Sequence, residues 1–155
     1  NGDGRMDLIA RRNEPGTPRD GQLWIGLFQL DPQTFQIQYA AKWNNSQPWT
    51  NVLVADVNND GRADLVGISG NNAWAAVAQP NGSMVNRFLG QVPAGTTHAV
   101  AGDFNNDGLV DLATYNGTTR QWLVGLGGAA QLNFVSFGSL FTSSLIRSVG
   151  AGRLD

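Results

Sequence analysis

The sequence predicts an all-β protein made of three repeated, four-stranded antiparallel units. Three observations predict it: an acidic loop is spelled three times, a tryptophan-bearing apolar segment follows each loop, and no segment sustains a 3.6-residue apolar period. The loops are Asn1-Gly-Asp-Gly-Arg-Met-Asp7, Asp56-Val-Asn-Asn-Asp-Gly-Arg-Ala-Asp64 and Asp103-Phe-Asn-Asn-Asp-Gly-Leu-Val-Asp111. The segments are Trp24-Ile-Gly-Leu27, Trp74-Ala-Ala-Val77 and Trp122-Leu-Val-Gly125. Loop and tryptophan recur together, so the repeat is the organising feature of the chain.

In the first unit the loop lacks its opening two positions, and a turn-rich insertion, Asn13-Glu-Pro-Gly-Thr-Pro-Arg-Asp-Gly21, precedes the Trp24 strand. In the second, Val52–Ala55 enters the acidic loop and Leu65–Ile68 leaves it. Turns at Gly70-Asn-Asn72 and Pro80-Asn-Gly-Ser83 then lead into strands at Ala73–Ala78 and Met84–Leu89. The third unit repeats the plan at Leu112–Tyr115, Gln121–Leu126 and Leu132–Phe137. Aligned on the fifth loop position, Asp3, Asp60 and Asp107 are 57 and 47 residues apart, and the insertion accounts for the longer interval. The chain thus reads as one repeat domain with units at about 1–55, 56–102 and 103–155, each starting in an acidic loop.

Four short antiparallel strands at this period are the blade of a β-propeller. About four to eight blades are needed for closure, and three are present, so the expected architecture is a partial ring or half of a six-bladed assembly. The segment Val149-Gly-Ala-Gly-Arg-Leu-Asp155 resembles the approach to the third loop, Val100-Ala-Gly-Asp103. Asp155 of one chain could therefore complete the first loop of a second copy or, alternatively, the chain belongs to a longer propeller.

Composition agrees and excludes other classes. Charged residues make up 14% against a typical quarter, glycines number 20 and net charge is −2. The basic residues form no stripe, which argues against nucleic acid. There is no cysteine, and no apolar run reaches the length of a membrane span. Of the twelve acidic residues, eight lie in the three loops. That clustering points to a shared cation.

Each full loop offers Asp, Asn, Asp and Asp at positions 1, 3, 5 and 9, with Gly at 6. Ca²⁺ takes six to eight oxygens in a flexible geometry. Asp56, Asn58, Asp60, Asp64 and the Arg62 carbonyl would supply them in the second loop. Asp103, Asn105, Asp107, Asp111 and the Leu109 carbonyl would do so in the third. The first keeps Asn1, Asp3, Asp7 and the Arg5 carbonyl, a weaker set. Two carboxylates about 4 Å apart repel by ~1 kcal/mol in water and ~4 kcal/mol near a protein surface, so a divalent cation would order the loop. An EF-hand would need helices and a Glu at position 12, where Gly67 and Thr114 stand. Zinc would need Cys or several His, and the chain has one His. A plain Asx-rich turn is the alternative, weakened by three in-phase copies.

The pattern Asp-x-Asn-x-Asp-Gly-x-x-Asp-Leu, entered from Val-Ala-Asp or Ala-Gly-Asp, resembles the FG-GAP/VCBS repeat at Asp56–Leu65 and Asp103–Leu112, and at Asn1–Leu8 as far as it runs. The Trp strand with its Gly or Asn-Gly turn resembles the bacterial VCBS form. The Phe-Gly and Gly-Ala-Pro signatures of integrin α-subunits are degraded or absent. The resemblance implies Ca²⁺ in hairpin loops, a propeller scaffold and an extracellular, secreted or cell-surface binding role.

Other features carry less. Gly125-Leu-Gly-Gly-Ala-Ala130 fits a loose dinucleotide fingerprint but has no helix after it. His98 has no recurring partner. Paired carboxylates at i, i+4 and i+8 of a turn suit a metal better than glycosidase chemistry. Asn44, Asn81 and Asn116 open formal glycosylation sequons. Trp24, Trp74 and Trp122 are expected in the inter-blade core. Trp43 and Trp49 break the repeat and flank a polar stretch, which makes them the better candidates for an exposed ligand-binding platform, although core or rim packing is the more frequent role for such residues. The expected function is a non-catalytic, Ca²⁺-stabilised module that binds a glycan or protein surface. The alternatives are a self-assembling homo-oligomeric propeller unit and an accessory propeller of a polysaccharide-active enzyme.

Overall fold

A computed structural model describes residues 2–44, 48–128 and 131–139. All regular structure among them is β: β1 (Leu8–Arg11), β2 (Gln22–Gln29), β3 (Thr34–Lys42), β4 (Trp49–Ala55), β5 (Asp64–Ser69), β6 (Asn72–Ala78), β7 (Met84–Gln91), β8 (Thr96–Gly102), β9 (Asp111–Asn116), β10 (Trp122–Leu126) and β11 (Asn133–Gly138). They form three antiparallel meanders, β1-β2-β3, β4-β5-β6-β7 and β8-β9-β10-β11. The second and third have the expected four strands. The first has three, because β4 and β8, which precede the acidic loop in their sheets, have no counterpart ahead of β1 among the described residues. Each full loop is the hairpin between the first and second strands of a sheet. Asn1 and Asp155 lie outside the described residues.

The sheets stack face to face as propeller blades. β5 alternates across its two faces: Leu65 packs with Leu23, Ala41, Trp43 and Ala76 toward the first sheet, whereas Val66 and Ile68 pack with Ala99 and Leu112 toward the third. A strand buried on both sides has no polar face, which is why β5 and β9 are buried almost throughout. First strand meets first strand and last meets last: Asn51 Oδ1 of β4 accepts the Ala99 N–H of β8 at 3.0 Å, and Asn86 Nδ2 of β7 donates to the Lys42 carbonyl of β3 at 2.9 Å. Asn51 adopts a φ of 50° at a bulge in β4, which turns its side chain toward the neighbouring blade.

The repeat tryptophans are not equivalent. Trp24 opposes Ala10 and Trp74 opposes Gly67, the same step after each acidic loop, but Trp122 opposes Tyr115, one step further along. The β9–β10 connection holds one more residue between the ninth loop position and the tryptophan than the β5–β6 connection does. A one-residue slip moves a side chain to the opposite face. Trp122 therefore packs on Tyr115 at 5.4 Å with Val100, Ala113 and Val124, on the face turned away from the second sheet. Trp24 packs edge-on to Tyr39 at 5.9 Å, and Trp74 lies between the first two sheets beside Trp43 and Trp49.

The exposed aromatic platform is a correction. Trp43 retains 2% of its surface and stacks on Trp49, with ring centroids 4.0 Å apart and planes 18° from parallel. The polar residues between them in sequence do not draw them outward, because both rings cover Gly67. A Cβ there would lie 2.8 Å from each ring. Only glycine admits the pair, so Gly67→Ala is expected to cost about 1–3 kcal/mol through overpacking, read as a lower denaturant midpoint at unchanged m-value.

Candidate metal centre

Each acidic loop is shaped by residues that tolerate left-handed backbone. Gly61 and Gly108 at position 6 have φ of 80° and 83°, and Asn59 and Asn106 at position 4 have 56° and 61°. Asn is among the few side chains that visit this region readily. Gly2 and Gly4 hold the matching positions of the first loop at 79° and 77°. The two consecutive Asn residues thus divide the labour: the first presents its side chain and the second supplies the turn.

The resulting hydrogen bonds repeat almost atom for atom. In the second loop Asp56 accepts the Asp60 N–H at 3.1 Å and the Gly61 N–H at 2.8 Å. In the third, Asp103 accepts from Asp107 and Gly108 at 3.1 and 2.9 Å. Asn58 Nδ2 donates to Asp60 at 2.7 Å, and Asn105 Nδ2 to Asp107 at 2.8 Å. The fifth-position carboxylate accepts the N–H two residues on in all three loops: Arg5 to Asp3 at 2.9 Å, Arg62 to Asp60 at 2.9 Å and Leu109 to Asp107 at 2.8 Å.

The ninth-position aspartate has a distinct task. Asp64 and Asp111 are each 1% exposed. Asp64 accepts the Val57 N–H at 3.0 Å and the Ala78 N–H at 2.8 Å, and Asp111 accepts from Phe104 at 2.9 Å and Gly127 at 2.8 Å. In the first loop Asp7 accepts the Phe28 N–H at 3.0 Å. In the two full loops this carboxylate clamps the start of the loop to the end of the third strand of its sheet. The glycine run after β10 belongs to the same clamp: Gly127 sits against the Val110 carbonyl with no room for a Cβ, which disposes of the dinucleotide fingerprint. Burial, helped by the charges of Asp60 and Asp56, pushes the Asp64 carboxyl above its ordinary value despite its two N–H partners. For Asp60, desolvation pushes upward but is outweighed by the Asn58 amide, the Arg62 N–H and the Arg62 guanidinium, which together hold the carboxyl below its ordinary value.

The donor set suits a hard cation. Side-chain oxygens at positions 1, 3, 5 and 9 and a position-7 carbonyl belong to one nine-residue turn, and an ionised carboxylate keeps about four acceptor sites, so those already bonded to N–H groups retain others. A cation already rests on two of the loops, for the guanidinium groups of Arg5 and Arg62 pair with Asp3 and Asp60. Among the described residues no group of three or more His, Cys, Asp or Glu is drawn together into a preassembled metal cluster. The carboxylates accept backbone N–H groups instead. Trp43 and Trp49 are remote in role: with Asn44, Asn72, Trp74 and Asn86 they line a separate cavity of about 270 Å³ between the first two sheets.

Among the described residues no helix is long and apolar enough to cross a membrane. Comparison with curated proteins and with solved structures gives no match. A family model for the FG-GAP-like repeat matches residues 1–67 and 56–114, so both full loops and the register that joins them fall within it. The chain belongs to the FG-GAP-like repeat family, whose repeats build propeller-type modules.

Proposed function

We propose that this protein is a non-catalytic, Ca²⁺-stabilised propeller module that works outside the cell by presenting a rigid surface to a glycan or protein. The observation that carries the reading is the in-phase repetition of one oxygen-rich hairpin, bond for bond, in successive blades. An active site would need a single specialised constellation, whereas a device repeated in each blade serves the scaffold. Asp56, Asn58, Asp60, Asp64 and the Arg62 carbonyl would hold one ion. Asp103, Asn105, Asp107, Asp111 and the Leu109 carbonyl would hold another, with Asp3, Asp7 and the Arg5 carbonyl left to a weaker site. The ion supplies charge neutralisation, and the chain supplies the turn and the clamp to the third strand.

Thermal unfolding tests it. Free Ca²⁺ at a hundred times Kd stabilises a single site by about 2.7 kcal/mol, which for a chain of this size raises Tm by about 5–10 °C. Chelator should reverse the rise, and Mg²⁺ at the same concentration should give less. An unchanged midpoint in Ca²⁺ and in chelator overturns the metal assignment.

A second reading, assembly with a second copy or with further blades, is favoured by the outer face of the first sheet. There Leu8, Ile37 and Tyr39 are 55%, 61% and 50% exposed around Trp24. Contiguous apolar exposure of this kind marks an interaction surface. Sedimentation equilibrium showing twice the chain mass supports self-assembly, and a monomer across the micromolar range argues against it.

A further inference from the structure

The three loops differ at one chemically decisive position. Position 7 would offer only its carbonyl to an ion in every loop, but its side chain is Arg5 in the first, Arg62 in the second and Leu109 in the third. The Arg62 guanidinium pairs with Asp60 Oδ2, the same oxygen that accepts the Asn58 amide, while its Nε donates to the Ala78 carbonyl at 3.3 Å. Ala78 is also the residue whose N–H the Asp64 clamp holds, so the guanidinium is anchored to the frame of the loop. Arg5 pairs with Asp3 in the equivalent way. In the third loop Asp107 Oδ2 accepts the Asn105 amide at 2.8 Å, and among the described residues no guanidinium pairs with it.

We propose that the position-7 side chain grades the divalent-cation affinity of the loops: Arg62 and Arg5 act as built-in competitors for the position-5 carboxylate, and the third loop, with Leu109, binds first and tightest. The inference rests on the calcium reading above and adds to it an order of filling. A divalent ion entering the second loop must displace the guanidinium from Asp60 or bind beside it, and either costs affinity. The pair lies at the surface, its side chains 21% and 22% exposed, so its strength is that of a surface ion pair. The Asp56 and Asn58 contacts match those of the third loop, so the comparison isolates the one cation.

Site-resolved titration tests this. Gly61 and Gly108 N–H groups each donate to the first aspartate of their own loop, so their amide resonances report the two loops separately in one protein. With Ca²⁺ alone as the probe, Gly108 is expected to titrate at about fivefold lower concentration than Gly61, the scale of a favourable exposed ion pair. Arg62→Leu keeps the carbonyl, installs the residue of the third loop, and should bring the Gly61 midpoint down to that of Gly108. Leu109→Arg should raise the Gly108 midpoint by a similar factor, which keeps the test decisive even if Arg62→Leu folds poorly. If both resonances respond to Ca²⁺ but their midpoints coincide, or ignore both substitutions, this proposal falls and the calcium reading stands. If neither responds in any variant, the calcium reading itself falls and takes the proposal with it.

Discussion

Trp43→Ala is expected to lower the unfolding free energy by about 3–5 kcal/mol, the range for deleting a buried large aromatic. The side chain is 2% exposed, belongs to the cluster joining the first two sheets, and stacks on Trp49 across Gly67. Its removal leaves a cavity that the rigid backbones of two facing sheets cannot close. Trp43→Phe should cost less, partly because the buried Nε1–H of Trp43 has no hydrogen-bond partner among the described residues. Equilibrium denaturation in guanidinium with an unchanged m-value is the measurement. A loss below about 1 kcal/mol would place Trp43 at the surface, as an exposed platform requires. Because Gly67→Ala clashes with the same ring, the double variant should recover part of its cost, a non-additivity expected only for residues in contact.

Asp64→Ala is the second large effect, about 2–4 kcal/mol from two lost hydrogen bonds to a charged group. Val57 and Ala78 N–H would both be left without their acceptor. Asp64→Asn retains one acceptor oxygen and should fall between alanine and wild type, while Asp56→Asn, at the more open mouth of the loop, should cost under ~1 kcal/mol. Apo protein in chelator is the proper background, since it separates the clamp from any ion. Equal losses at Asp56 and Asp64 there would show that the ninth position is an ordinary loop residue and not a clamp.

That division between positions 1 and 9 was only half legible in the sequence. The spacing of the acids identified the loop, because residue spacing within one turn is a local property. The partner of Asp64, Ala78, lies across a hairpin, and nothing in the loop itself names it. Asn59 and Asn106 were visible as letters but not as conformations; their positive φ follows from the turn geometry that the flanking strands impose. The tryptophan register could have been read from the extra residue before Trp122, since the period of two is absolute within a strand. Trp43 could not. Its surroundings in sequence are polar, and its burial depends on a glycine in a different sheet.

What the amino-acid sequence determined by itself is therefore what recurs locally: strands and turns, the acidic hairpin, and the repeat that stacks one blade on the next. Alternation, turn chemistry and ligand spacing act over a few residues, and three copies multiply the signal. What only the tertiary structure decided is which face each aromatic meets, which amides the buried carboxylates hold, and which loops carry their own guanidinium. Those depend on the distance between segments brought together by sheet packing, and a one-residue change in a connection, or a missing Cβ in a neighbouring strand, is enough to reverse them.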